Sequence, residues 1–298
     1  MNKLDHVVLG INHMFLYPES MVNGTVHTET LKNLSENPTV DALDCWVWPK
    51  HAKEELQILR NCGKQINYNI GDRFGDVPVF PATKDVSQRA YSLDILRREC
   101  DFAVECGAKK IIFGSGPDVP DDREDAQKRF ADFVLEWSKD LPKDICLALE
   151  PVDRDIDKYA LFGTLEDTCE CIDRIRAGGY ENAGILLDMG HIPIMHETLE
   201  TAIIKCGSYL NHIHLGSCVM KNKDNPLYGD KHPCWGEPDG EYDENDGVQM
   251  LQLLKVNGYF SRGYDQTVSF EMRPLIGKTS EDTVEYLANW FRKSFGIL

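Results

Sequence analysis

The sequence predicts a (β/α)8 barrel built as a single domain over residues 1–298. Three observations predict it: eight short apolar or β-branched runs, amphipathic segments between them, and a repeat of about 37 residues when 298 residues are divided among eight units. The competing architecture is an open, doubly wound sheet. No G-x-G-x-x-G motif follows the first run, which removes the usual reason to prefer that sheet.

The strands are predicted where a short apolar or β-branched run ends in polar residues or glycine. In chain order these runs are His6–Asn12, Ala42–Trp48, Ile66–Ile70, Lys110–Gly114, Ile145–Glu150, Ala183–Asp188, Leu210–His214 and Thr267–Glu271. Because helix-like segments separate the runs, we expect the strands to lie parallel.

The helices are predicted from apolar residues at helical spacing between those runs. They are Val26–Asn37, Pro49–Cys62, Val86–Cys106, Asp122–Asp140, Thr164–Ala177, Leu199–Gly207, Asp246–Asn257 and Ser280–Ser294. Thr164 and Thr279 each stand just before a pair of acidic residues, an arrangement that favours a helix start. The longest irregular stretch, Gly216–Asp246, follows the seventh strand, and a loop of that length in a compact domain is usually functional.

The charge balance excludes several classes of partner. The chain has 32 Lys and Arg against 49 Asp and Glu, which gives a formal net charge of −17. Binding to nucleic acid or to an anionic membrane surface needs a cationic footprint, and no run is basic enough to supply one. With 42% hydrophobic and 27% charged residues, the composition is that of an ordinary globular protein.

The N-terminus and the cysteines predict a cytoplasmic protein. The opening MNKLDHVVLG does not resemble a signal peptide, and no window approaches the roughly 18 apolar residues of a transmembrane helix. The ten cysteines are dispersed and none forms a C-x-x-C pair. We therefore expect reduced, structural thiols.

Each of the last four predicted strands ends in a residue that can bind a metal ion. These residues are Glu150, Asp188, His214 and Glu271. In a barrel they would point into one cup and repel each other unless a cation lay between them. Three carboxylates and one imidazole suit Mn²⁺, Mg²⁺ or Co²⁺ better than a structural Zn²⁺ site. The alternative is that each residue is only a salt-bridged polar group at a strand end.

The long loop contains a second candidate group, in the segment Tyr228–Glu241. Its Asp230-x-His232 pair can form a general acid oriented by a carboxylate, although a solvated surface turn is the alternative. Other residues near strand ends are candidates for contact with substrate. Together with Asp230, they are His13, Trp46, Trp48, Arg154, Trp235 and Arg273, of which the aromatic residues could instead be packing groups.

The second half of the chain resembles the xylose isomerase-like barrel superfamily of sugar isomerases, ketose 3-epimerases and inosose dehydratases. The resemblance lies in Glu150-Pro-Val-Asp-Arg, Asp188-Met-Gly-His191, His212-Ile-His214-Leu-Gly and Ser269-Phe-Glu271. It implies that Glu150, Asp188, His214 and Glu271 bind one divalent ion, that both glutamates move protons, and that His191 contacts substrate. The first half matches only in its rhythm of strands and helices.

Two further segments resemble the catalytic subunits of bacterial C-glycoside deglycosidases. They are Asn12-His13 with Tyr17-Pro-Glu19, and the loop sequence Tyr228-Gly-Asp-Lys-His232-Pro. This narrower resemblance implies a 3-oxo-glycoside substrate and a small β-rich partner subunit. Ketose 3-epimerases carry an Arg shortly after His-x-His, whereas Ser217-Cys-Val-Met220 contains none.

The preferred hypothesis is a metal-dependent enzyme that removes a proton beside a sugar ketone and eliminates the aglycone of a 3-oxo-C-glycoside. Its expected catalytic residues are Glu150, Glu271, His191 and His232. The same metal cup suits a ketose 3-epimerase, a sugar isomerase or an inosose dehydratase. An endonuclease for abasic DNA is disfavoured by the charge of −17. A non-catalytic scaffold is disfavoured by the intact set of four ligands.

Overall fold

The computed structural model describes residues 7–71, 79–261 and 266–297, and over these residues the chain is a (β/α)8 barrel. Every strand pairs in parallel with its neighbours in chain order, and β8 pairs with β1 to close the barrel. The strands are β1 Val7–Asn12, β2 Ala42–Cys45, β3 Gln65–Asn69, β4 Lys110–Phe113, β5 Cys146–Leu149, β6 Ala183–Asp188, β7 Leu210–Leu215 and β8 Gln266–Phe270. The predicted fold is confirmed; His6, the first residue of the first predicted strand, lies outside the described residues.

The helices pack around the barrel and include two short ones that the sequence patterns did not predict. They are α1 His13–Leu16, α2 Gly24–Glu36, α3 Ala52–Asn61, α4 Val86–Glu105, α5 Arg123–Trp137, α6 Leu165–Ala177, α7 His191–Ile194, α8 Leu199–Cys206, α9 Glu244–Val256 and α10 Ser280–Ile297. Thr164 accepts a hydrogen bond from the backbone N–H of Asp167, and Thr279 accepts one from Asp282, so both predicted helix starts are confirmed.

The second strand ends three residues earlier than predicted. The chain leaves the sheet after Cys45, and its backbone N–H groups find side-chain acceptors instead of strand partners. The N–H of Val47 donates to the Tyr68 hydroxyl at 3.2 Å, and that of Trp48 donates to Glu55 Oε2 at 2.6 Å. The tryptophans on either side of Val47 therefore lie in the loop after β2.

A glycine in β1 lies close to β8, where the barrel closes. A Cβ atom on Gly10 would lie 2.0 Å from the hydroxyl oxygen of Ser269, its register partner on β8, and 3.0 Å from the Ser269 Cβ. A larger residue would therefore require the Ser269 side chain or one of the two strands to shift. This closure is what brings the end of β8 beside the end of β1.

Part of the barrel interior is polar. Asp44, Asn67 and Lys110 lie in register on β2, β3 and β4, and all three are buried. Apolar side chains fill another part of the interior, where Ile112 packs with Ala148 and Leu186. Buried polar groups need hydrogen-bond partners, and the interior residues described below supply them.

No described helix is both long and apolar enough to cross a membrane. All ten cysteines are free in this structure.

Candidate active site

The four residues at the ends of the last four strands converge on one point. Glu150 directly follows β5, Asp188 ends β6, His214 lies near the end of β7, and Glu271 directly follows β8. One ligand atom from each lies within 4.8 Å of the others, and all four residues are buried. The structure thus brings together the complete set that was predicted to hold a metal ion.

The donor set fits a divalent cation. Nδ1 of His214 lies against Glu271 Oε2 and is 3.7 Å from Asp188 Oδ2. Among the residues that the structure describes, none donates a hydrogen bond to Asp188 Oδ2, although this oxygen is fully buried. A buried carboxylate oxygen without a donor is costly unless a cation satisfies it, and three carboxylates with one imidazole form a ligand set suited to such an ion.

The surroundings of the three carboxyl groups in the cluster give them different pKa values. Burial, together with the nearby charge of Glu271, raises the pKa of Glu150 to about 8. Burial raises the pKa of Asp188 to about 6 despite the opposing charge of His191. The pKa of Glu271 is lowered because His214 and His232 outweigh the effect of burial. Paired acids with divergent pKa values are a common feature of sites that move protons.

Two glycines give the cluster the space it needs. A Cβ atom on Gly190 would lie 2.9 Å from both Asp188 Oδ1 and the carbonyl oxygen of Ser217. A Cβ atom on Gly216 would lie 2.6 Å from the carbonyl oxygen of Glu271. The Gly in Asp188-Met-Gly-His191 therefore lets the backbone N–H of His191 reach Asp188 Oδ1, to which it donates at 3.1 Å.

Side chains from the first half of the barrel support two of the four residues, and the sequence analysis named neither of them as a candidate site residue. Asn12, at the end of β1, donates to Glu271 Oε1 at 2.8 Å. Asp44, inside β2, accepts a hydrogen bond from Nε2 of His214 at 2.8 Å. A charged residue inside a buried strand was the available signal for Asp44; the signal for Asn12 was its position at a strand end, which polar residues often occupy.

The long loop after β7 runs from residue 216 to residue 243 and covers the cluster, as expected of a functional loop. Its Asp230 Oδ1 contacts Nε2 of His232 at 2.8 Å and Nε2 of His191 at 3.1 Å. All three side chains are buried, so the solvated turn considered from the sequence is wrong. The charge of Asp230 raises the pKa of His232 to about 9, although burial opposes it.

His232 faces the cluster formed by Glu150, Asp188, His214 and Glu271. Its Nδ1 is buried, has no hydrogen-bond partner within the described part of the chain and lies 4.0 Å from Glu271 Oε2. The ring packs against Phe15, with centroids 4.0 Å apart. His232 has a φ of +49°, a left-handed conformation that is uncommon for residues other than glycine and concentrates at functional sites.

A second loop, between β5 and α6, holds Asp230 in place. Lys158 Nζ lies 3.3 Å from Asp230 Oδ2, and Asp157 accepts a hydrogen bond from the backbone N–H of Asp230 at 3.2 Å. Asp157 also pairs with Lys231 at 2.8 Å. Asp153 accepts hydrogen bonds from the backbone N–H groups of residues 156, 157 and 158 and so shapes this loop.

The predicted aromatic contacts form a buried cluster beside α1. His13 Nε2 lies 2.9 Å from the Thr30 hydroxyl, and the ring makes an edge contact with His27 at 4.8 Å. Trp46 is 4.5 Å from His27 and 5.2 Å from Trp48, and only Trp48 of the two tryptophans is partly exposed. These contacts account for the burial of His13 and Trp46; their role in substrate binding stays a prediction.

The remaining predicted contacts hold loops together. Arg154 pairs with Asp167 on α6 at 2.6 Å. Arg273 donates through Nε to the carbonyl oxygen of Lys231 at 3.0 Å and through its backbone N–H to that of His232 at 2.9 Å. Trp235 is buried against Trp290, with centroids 4.7 Å apart. Their contact with substrate likewise stays a prediction.

The chain matches the model of a known barrel family. The family model described as xylose isomerase-like TIM barrel matches residues 48–294. The chain therefore belongs to the xylose isomerase-like TIM barrel family, which confirms the broader resemblance seen in the sequence.

Solved structures of known proteins share this fold. A D-tagatose 3-epimerase-like protein is 16% identical with a TM-score of 0.71, over 97% of this chain and 98% of that chain. The 3-keto-D-glucoside 4-epimerase YcjR from E. coli is 15% identical with a TM-score of 0.66, over 96% and 99%. The IolI protein, solved with a zinc atom, is 17% identical with a TM-score of 0.65, over 97% and 96%. No protein of curated function matches the sequence.

Proposed function

We propose that the protein is a divalent-metal-dependent enzyme that removes and returns a proton at the carbon beside the ketone of a sugar, as an epimerase or isomerase. The observation that carries the proposal is the buried Asp188 Oδ2 without a donor, inside a set of four convergent ligands. A barrel that needed these residues only for stability would give each carboxylate oxygen a hydrogen-bond donor.

Glu150, Asp188, His214 and Glu271 would hold the ion, with Mn²⁺ proposed first and Mg²⁺ or Co²⁺ as alternatives. When bound, the ion would polarise the sugar carbonyl and make the neighbouring C–H more acidic. IolI, whose structure holds zinc, supports a metal-dependent function for a barrel of this family.

The protein's own residues supply the proton transfers. Glu150 and Glu271 come from strands separated by β6 and β7. In the proposed reaction their two carboxyl groups would act on the same substrate from different strands. Asn12 fixes one oxygen of Glu271 through a hydrogen bond of 2.8 Å. The contact of His191 with the carbonyl oxygen of Pro151 at 3.1 Å fixes its ring beside Glu150, so His191 can contact a hydroxyl of the sugar.

The proposed substrate class is a keto-sugar, with 3-keto-glycosides tested first. YcjR is named for action on a 3-keto-D-glucoside, and other proteins of this fold are named as 3-epimerases of free ketoses. The narrower sequence resemblance to C-glycoside deglycosidases also implies a 3-oxo-glycoside. Both arguments lead to the same class of carbonyl compound.

A second candidate is β-elimination, in which the aglycone of a 3-oxo-C-glycoside is released and the C–C bond breaks. The group of His191, Asp230 and His232 favours it, because elimination needs an acid to protonate the leaving carbon. His232 has the raised pKa of an acid and an unpaired Nδ1 that faces the cluster. A small β-rich partner subunit belongs to this candidate only.

One experiment separates the candidates. The purified protein, loaded with Mn²⁺, is incubated in D₂O with a ketohexose, with a 3-keto-O-glucoside and with a 3-oxo-C-glucoside carrying a phenolic aglycone. Deuterium in the recovered sugar supports epimerisation or isomerisation; free phenolic aglycone from the C-glucoside supports elimination. Glu150→Gln should abolish either result. If the metal-loaded protein neither exchanges deuterium nor releases an aglycone, the proposal is wrong.

A further inference from the structure

A closed ring of hydrogen bonds lies in the barrel interior next to the candidate ligands. Going around it, Lys110 contacts His212, His212 contacts Asp44, Asp44 contacts Asn67, and Gln65 links Asn67 to Thr267, which returns to Lys110. The six contacts measure 3.3, 2.7, 2.6, 3.0, 2.9 and 3.2 Å in that order. The members come from β2, β3, β4, β7 and β8, so the ring ties five strands together.

The chemistry of the ring fixes which nitrogen of His212 carries the proton. The Lys110 ammonium group can only donate, so Nδ1 of His212, 3.3 Å away, must accept. The proton of a neutral His212 then sits on Nε2, which donates to Asp44 Oδ2. The other tautomer would place a lone pair of Nε2 against that carboxylate oxygen.

Asp44 transmits this arrangement to a candidate metal ligand. Its Oδ2 accepts from His212 and also from Nε2 of His214 at 2.8 Å. Because Nε2 of His214 carries that proton, Nδ1 remains for the cup that contains Glu150, Asp188 and Glu271. A carboxylate that orients a metal-binding histidine in this way commonly affects metal affinity by about 10- to 100-fold.

We infer that Lys110 is a positioning residue for the metal ligand His214, acting through His212 and Asp44; this inference rests on the proposed metal site. Lys110 is only 4% exposed, and its positive charge is opposite in sign to that of the fully buried Asp44. Its position explains why a lysine starts β4 in the barrel interior, where apolar side chains are usual. The ring also explains why the polar layer of β2, β3 and β4 is stable when buried.

The test compares Lys110→Met, which removes the donor, with Lys110→Gln, which removes the charge but keeps an N–H donor. Lys109→Met is the matched control, because Lys109 is exposed. The probe is Zn²⁺, titrated calorimetrically into metal-free protein. We expect Lys109→Met to bind like the wild type, Lys110→Gln to bind within about threefold, and Lys110→Met to bind at least about tenfold more weakly.

A spectroscopic readout distinguishes positioning from general loss of stability. In ¹⁵N-edited NMR spectra of the diamagnetic Zn²⁺-loaded protein, His212 should show a protonated Nε2 and a bare Nδ1 in the wild type and in Lys110→Gln. Lys110→Met should lose that pattern. If Lys110→Met does not fold, His212→Leu replaces it, because it breaks the same chain of contacts one step later.

Three outcomes would overturn the inference. Unchanged Zn²⁺ affinity and an unchanged tautomer in Lys110→Met, or unchanged affinity in its replacement His212→Leu, would show that the link does not act on His214. Equal losses in Lys110→Gln and Lys110→Met would assign the effect to charge. Failure of the wild type to bind any Zn²⁺ would overturn the metal site itself, and this inference with it.

Discussion

Strands β5 to β8 carry the four candidate metal ligands, whereas strands β1 to β4 carry side chains that hold two of those ligands in place. Glu150, Asp188, His214 and Glu271 belong to the first group. Asn12 on β1 and Asp44 on β2 belong to the second. The difference teaches that the two halves contribute to the candidate site in different ways. The second half supplies its proposed ligands, and the first half supplies side chains that hold two of them, so substitutions in the two groups should have effects of different size.

The largest effect is expected from removing a ligand. His214→Ala should lower the affinity for Mn²⁺ or Zn²⁺ by more than about 100-fold, beyond the range that outer partners of a metal site usually account for. Elemental mass spectrometry of protein purified without chelator, with calorimetric titration, measures this effect. His196→Ala is the control, since His196 is exposed and pairs with Asp155. If His214→Ala still holds one ion per chain firmly, His214 is not a ligand and the proposed difference between the two halves of the barrel is wrong.

The next effect is expected from Asp44→Asn. Asp44 accepts hydrogen bonds from three donors, on His212, His214 and Asn67, and an asparagine has only one oxygen with which to accept them. We expect metal affinity to fall by about 10- to 100-fold in the same titration. Asp41→Asn, at the exposed residue just before the same strand, should leave affinity unchanged. If the two variants behave alike, the first half does not set the geometry.

A smaller effect is expected from Asn12. Its Nδ2 donates to Glu271, while its Oδ1 caps α1 by accepting from Met14 at 3.1 Å. Asn12→Asp keeps the cap but places a second negative charge 2.8 Å from Glu271, whereas Asn12→Ala removes both contacts. We expect kcat/KM to fall about tenfold in Asn12→Ala and further in Asn12→Asp, while only Asn12→Ala loses the cap, worth about 1 kcal/mol. Steady-state rates and thermal unfolding curves measure the two losses; equal activity in all three proteins would contradict the role of Asn12.

The smallest effect concerns pH. A carboxyl group whose pKa is higher in the folded chain makes the folded state bind more protons, so stability falls as pH rises between the unfolded and folded values. For Glu150 that interval runs from 4.5 to about 8 because of burial and the charge of Glu271. A bound cation needs the ionised carboxylate and offsets this loss.

The gap in Tm between Mn²⁺-loaded and chelator-treated protein should therefore widen from pH 6 to pH 8. Thermal scans at both pH values measure it. Glu150→Gln has no carboxyl group to titrate, so its gap should change much less. If the gap in Tm narrows with rising pH in the wild type, the pKa of Glu150 is not raised in the folded protein and the prediction is wrong.

The convergence of Glu150, Asp188, His214 and Glu271 could be predicted from the sequence because the signal of each residue is local. Each is a metal-competent residue at the close of an apolar run, and in a barrel such positions converge without further information. The same logic placed a functional loop after β7, and within it Asp230 and His232 are buried above the cluster. The family model, which matches residues 48–294, supports the same assignment of fold.

The supporting contacts could not be predicted because their signal is not local. Lys110 opens a strand and His212 sits in the middle of one, and their contact joins residues 102 positions apart. Asp44 and His214 are 170 positions apart. Nothing in the neighbourhood of either residue specifies the partner, which depends on strand register around the closed barrel. The early end of β2 was missed for the same reason. The backbone N–H groups after the strand donate to side chains from later elements, Glu55 and Tyr68, which the local sequence does not indicate.

The pairing of Asp157 with Lys231 has a consequence for how such a protein can diverge. Asp157 lies in the loop after β5, and Lys231 stands between Asp230 and His232 in the loop after β7. Gly229 approaches Asp157 so closely that a Cβ atom there would lie 2.9 Å from the aspartate Cβ. A loop transplanted from a relative into positions 216–243 would no longer match the loop after β5. We therefore expect the two loops to change together in evolution, and new reaction specificities in this lineage to arise through paired changes in both.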